Sequence, residues 1–208
     1  MVYVPGKLIV QANAAATASN IVAHETLFRF SIVAQLISQV GFIFVALALY
    51  ELFHDVNRRH ASLWVILVAV AIPVGFLNEL NSIAAIALAR GADFLSIFEK
   101  PQREALAMVA LNLRSQGIVL AEMLWGLGLV TLALLVYRSR FLPRFLGVWL
   151  AVDGSAYVIL SLTGILLPQY YERALTYSQP ATLGEVAFML WLVVKGTKPP
   201  APDATTPY

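Results

Sequence analysis

From Ile118 to Leu167 the chain carries no charge apart from two carboxylates, Glu122 and Asp153, and a short turn holding Arg138, Arg140 and Arg144. Each side of that turn is an apolar run of about 20 residues, the length an α-helix needs to cross the hydrocarbon core of a bilayer. Two such runs joined by a brief basic hinge leave little choice of fold, because backbone buried in lipid must satisfy its own hydrogen bonds within a helix or a closed barrel. The rest of the chain repeats the pattern. Of its 208 residues 60% are hydrophobic and 12% charged, about half the charge of a soluble domain. Too few charges remain to cover a water-facing surface, so lipid is the expected solvent for much of it.

The periodicity predicts an all-α, polytopic transmembrane helix bundle of about five spans, forming a single domain over residues 1–198 with a disordered tail at 199–208. The spans are expected near 27–50, 63–88, 101–137 (with 118–137 in the membrane), 145–167 and 183–194. Residues 1–25 read as a surface segment, with Gln11 to Asn20 as a polar loop. Gln169 to Pro180 reads as a polar, tyrosine-rich loop at the headgroup interface. No secretory signal is visible in Met1 to Val10.

Polar residues inside the spans fall on stripes. Ser31, Gln35, Ser38 and Gln39 share one face of the first helix, which has Arg29 at its start. In the second, Pro73 interrupts the backbone hydrogen bonding. Gly75, Asn78, Glu79 and Ser82 follow at i, i+3, i+4 and i+7, with Asn81 beside them. The third carries Glu122, Trp125, Gly126 and Gly128, with Arg114 at its outer end and a bend expected near Gly117. The fourth carries Asp153, Gly154, Tyr157, Ser161 and Gly164. Glu185 and Lys195 mark the two ends of the last, short helix. A charged carboxylate at mid-bilayer costs about 2.5–3.5 kcal/mol on insertion scales. Glu79, Glu122 and Asp153 are therefore expected to face the bundle interior.

Several classes of function are excluded or disfavoured. The formal net charge is only +2 and no basic patch is interleaved with aromatics, so no nucleic-acid partner is expected. The chain has no cysteine, which removes disulfides and thiolate chemistry. His24, His54 and His60 lie at the ends of apolar segments, so no metal site and no cofactor is evident between the spans. The expected partners are the lipid bilayer and a homo-oligomer or a partner membrane subunit. The acid-free loop Arg138 to Arg144 places that turn, and the C-terminus, in the cytoplasm of a cell membrane protein.

Asn20–Glu25, Leu27–Arg29, Ala48–Tyr50, Tyr137–Gly147 and Gly154–Tyr157 together resemble a family of bacterial multi-pass membrane proteins, that of domain of unknown function 4386. The resemblance covers nearly the whole chain and implies an all-helical membrane bundle with no assigned activity. Such proteins usually begin with one more apolar helix, so either the start lies upstream of Met1 or a five-helix form leaves a groove for lipid or another subunit.

Three functions follow from the residues. In the first, a binding or transport protein holds a proton or small cationic ligand in a polar cavity. Its candidate residues are Glu79, Asp153, Asn78, Asn81, Glu122, Gln35, Gln39, Tyr157, Arg29 and Arg114. The second is a non-catalytic partner subunit or sensor. The third is an intramembrane hydrolase using Glu79 and Asp153 as an acid–base pair, although no catalytic motif identifies it. Against all three stands a polar network that only fixes helix register.

Overall fold

The computed structural model describes residues 8–10 and 13–196. The expected tail at 199–208 and most of the Met1 to Val10 segment lie outside them. The described chain is helical: α1 (Ala14–Ala23), α2 (Glu25–Phe53), α3 (Arg58–Arg90), α4 (Lys100–Arg138), α5 (Arg144–Leu166), α6 (Tyr171–Ser178) and α7 (Leu183–Lys195). Short 3-10 turns at Asp93–Leu95 and Pro168–Tyr170 complete the order. The protein is an all-α helical bundle. Among the described residues, α2, α3, α4 and α5 are long and apolar enough to cross a membrane. At 13 residues α7 extends about 20 Å, short of a hydrocarbon core of about 30 Å.

Two segments read as loops are helical. Within the expected polar loop Gln11 to Asn20, α1 starts where the Asn13 side chain accepts the Ala16 N–H at 2.9 Å, and alanines carry the helix onward. Leu8–Val10 folds back on it. The Thr17 hydroxyl donates to the Val10 carbonyl at 3.1 Å and accepts the Val10 N–H at 3.0 Å. Asn20 donates to the Leu8 carbonyl at 3.2 Å. In the expected tyrosine-rich loop, Tyr171–Ser178 forms α6. Both helices are too short to show a span's hydropathy, α1 although apolar and α6 because it is also polar, and neighbouring structure holds them in place.

By its contacts the chain divides into two compact units, Met1–Val45 with Val68–Ala121, and Ala46–Leu67 with Glu122–Tyr208. The core of the first joins Leu8, Ile21, Phe28, Ile32, Ile86 and Leu111. There α3 ends at Gly91, whose φ of +70° is a left-handed cap that glycine adopts without strain. The Arg103 guanidinium packs directly on Gly91, a cation at a helix C-terminus. Through Gly117, where a bend is expected, α4 remains one helix.

In the second unit α4 and α5 approach backbone to backbone. A Cβ on Gly126 would lie 2.5 Å from the Gly154 carbonyl oxygen, and one on Gly154 2.7 Å from that of Gly126. The basic hinge between these helices turns tightly on Arg140, at φ +57°, with the Phe141 N–H donating to the Ser139 carbonyl at 2.7 Å. That is a γ-turn with a non-glycine residue in a strained position. Packing holds it: Phe141 stacks on Phe53 with ring centroids 5.7 Å apart, and Arg144 sits 5.6 Å above the Tyr137 ring.

Candidate functional site

The candidate residues gather in two places, one in each unit. In the first, Glu79 is buried on α3 and both its oxygens are used. One accepts from the Arg114 guanidinium at 3.1 Å, the other from the Ser82 hydroxyl at 2.8 Å. Helical spacing delivers Ser82, three residues on from Glu79; Arg114 comes from α4. Asn78 secures the same crossing, donating to the Arg114 carbonyl at 3.0 Å and accepting from Asn81 at 3.4 Å. Its amide packs against Gly117, as that of Gln39 packs against Gly75. In each case a Cβ would push the amide out of its place. A small cleft with room for about one water opens beside Glu79 and Arg114, lined also by Ser31, Ser82, Phe28 and Leu111.

Gln35 is half-buried on α2. Arg29 is exposed and belongs to a surface ion cluster, bonding Glu25 at 2.7 Å while Arg90 reaches the same carboxylate at 3.1 Å. Neither is among the residues that line the cleft.

The second unit places Asp153 at the start of α7. Asp153 is fully buried on α5 and one oxygen accepts the Glu185 backbone N–H at 3.2 Å. That N–H belongs to the first turn of α7, where backbone donors lack partners inside the helix. Thr182, at the N-cap, makes no side-chain cap bond, so Asp153 caps α7 from another helix. Gly184 makes the approach close: a Cβ there would stand 3.3 Å from the Asp153 carboxylate and 2.9 Å from the Trp149 ring.

Glu122, buried on α4, accepts from the Tyr171 hydroxyl of α6 at 2.8 Å. Burial, then that bond to Glu122, pushes the Tyr171 pKa up and keeps the hydroxyl a donor. Tyr157 lies within electrostatic reach of Glu185, Asp153 and Glu122. Its ring meets Trp125 edge to face, with centroids 6.3 Å apart. The second oxygens of Asp153 and Glu122 are buried and have no hydrogen-bond partner among the described residues.

The two sites differ in kind. Glu79 faces a guanidinium and is neutralised locally. Three carboxylates share the second site, and no salt bridge joins any of them to a basic group among the described residues. Nor do three acidic or histidine side chains converge as metal ligands there.

Residues 1–196 match the family model described as a domain of unknown function, DUF4386. The chain belongs to that family. This DUF4386 protein is also 32% identical over 79 residues to an uncharacterized protein of Archaeoglobus fulgidus. That match covers 38% of the chain and 46% of the relative, so it spans about half the length of the protein it resembles. No solved structure matches. With family and helices together, this DUF4386 chain is an integral membrane protein.

Sequence reasoning passes over Tyr171, Trp149 and Gly184. Tyr171 sits in a segment with the composition of an interfacial loop, and Gly184 matters only for what approaches it. Glu185 is visible as a carboxylate at the edge of a span, but its backbone N–H, the group that meets Asp153, leaves no mark in a sequence.

Proposed function

We propose that this DUF4386 protein binds a small cationic ligand, and serves as a binding or transport protein for it, at the carboxylates of the second unit. The observation that carries this reading is that one oxygen each of Asp153 and Glu122 is buried and has no hydrogen-bond donor among the described residues. An ionised carboxylate in that position is costly unless a cation or donor meets it. Glu185 and Tyr157 add a third acid and a hydroxyl to the same place. The Glu79 site supports the reading less well, because Arg114 already occupies the position a cation would take.

The test is ligand-dependent stability of the full chain purified in mild detergent. A ligand that binds only the folded state raises the midpoint of unfolding. Chlorides of monovalent inorganic and organic cations, compared at one ionic strength, are expected to include at least one whose stabilisation saturates. Asp153→Asn should abolish that response, because the amide keeps an acceptor for the Glu185 N–H but removes the charge. Were no cation to stabilise the wild type, or were Asp153→Asn to respond equally, the reading would be wrong.

For orientation we propose the cytoplasmic face for the Arg138 to Arg144 turn. The support is the three arginines in a short loop free of acids.

A further inference from the structure

In the second unit aromatic side chains come from the same turns of helix as the buried carboxylates. On α5, Trp149, Asp153 and Tyr157 are spaced i, i+4 and i+8, so one face presents ring, acid, ring. On α4, Glu122 and Trp125 are spaced i and i+3. From α6, Tyr171 closes on Glu122 at 2.8 Å. Trp149 packs where Gly184 lets it reach the start of α7, beside Asp153. Trp125 and Tyr157 meet edge to face, at 84° between planes, which leaves the two ring faces turned in different directions.

Inorganic cations are held by several oxygens close together. No group of three acidic or histidine side chains among the described residues is arranged to hold a metal ion. The second unit offers two buried carboxylate oxygens without a partner among the described residues, one on Asp153 and one on Glu122, with the rings of Trp125, Trp149, Tyr157 and Tyr171 on neighbouring turns. Rings of this kind attract a cation over their faces, most strongly when it is weakly hydrated and desolvated. From this juxtaposition we infer that the ligand is a small organic ammonium ion, bound by Asp153 and Glu122 through charge and by the surrounding aromatic rings through cation–π contact. The inference rests on the cation reading above and narrows its chemical class.

Tetramethylammonium, methylammonium, sodium and potassium chlorides are titrated into the full chain in detergent at constant ionic strength. Thermal unfolding and intrinsic tryptophan fluorescence provide the two readouts. Tetramethylammonium or methylammonium should raise the midpoint and shift the fluorescence saturably, at concentrations where sodium and potassium do neither. Trp125→Leu should weaken the apparent affinity for the ammonium about tenfold, and Asp153→Asn should remove it. Should Asp153→Asn fail to fold, Glu122→Gln replaces it, since the amide still accepts the Tyr171 hydroxyl proton. Saturable stabilisation by sodium or potassium that matches the organic ions would overturn the ammonium assignment and leave the cation reading standing. So would an ammonium affinity that Trp125→Leu leaves unchanged. No response to any of the four salts would overturn both.

Discussion

Glu79 and Asp153 are both buried acids in apolar helices, yet they are stabilised in different ways. Glu79 accepts charge-assisted and hydroxyl hydrogen bonds on its two oxygens, while Asp153 has one backbone N–H and a second oxygen without a partner among the described residues. Removing one member of a buried ion pair leaves the other unpaired and costs about 3–5 kcal/mol. Arg114→Met should therefore lower stability by about that much, read as a fall in the unfolding midpoint in detergent. Replacing Glu79 as well, in Arg114→Met/Glu79→Leu, should recover most of the loss, because the desolvation cost goes with the charge. A double variant no more stable than the single one would mean that Glu79 and Arg114 do not depend on each other. The glycines at the α4–α5 crossing admit a sharper test. Gly126→Ala forces a Cβ to 2.5 Å from a backbone oxygen, where no side-chain rotation relieves the contact. It should cost about 1–3 kcal/mol, whereas Gly41→Ala, with nothing within 4 Å of its Cβ, should be neutral or stabilising.

At the scale of the helix, α7 depends on α5 for its start. Thr182 offers no side-chain cap and Asp153 supplies the acceptor instead. Asp153→Ala should loosen the first turn of α7, at a cost of about 0.5–2 kcal/mol, and speed amide exchange at Glu185. Asp153→Asn should do neither. Equal exchange in the two variants would show that the cap contributes nothing. The sequence carries no trace of this dependence for a physical reason: a side chain bonding to a backbone amide 32 positions away imposes no pattern on either segment. The four long helices were legible because each repeats an apolar requirement along its length. The Glu79 stripe was legible too, since Asn78, Glu79 and Ser82 follow helical spacing, but its partner Arg114, 35 residues on, was readable only as a charge near an interface. The two short helices leave no clear periodic mark because ten and eight residues are too few to repeat one.

On the scale of the molecule, the balance of burial is the reverse of a soluble protein's. In the most apolar stretch of α2 only 17% of residues are buried, and in that of α3 22%. Phe30, Ile37, Phe44, Ile66 and Leu77 are all more than half exposed. In water such surface would drive association; in a bilayer it meets its own kind. The crossings then alternate, so one reporter on each side fixes the topology. With the Arg138 to Arg144 turn in the cytoplasm, Asp55 between α2 and α3 should share that side, and Asp93 between α3 and α4 should face the opposite one. The chain contains no cysteine, so Asp55→Cys and Asp93→Cys each introduce a single thiol at an exposed site. A membrane-impermeant maleimide should label Asp93→Cys in intact cells and Asp55→Cys only after the membrane is opened. The reverse pattern would invert the orientation. Equal labelling of both in intact cells would mean that α3 does not cross the membrane, and the helices would need another solvent for their apolar faces.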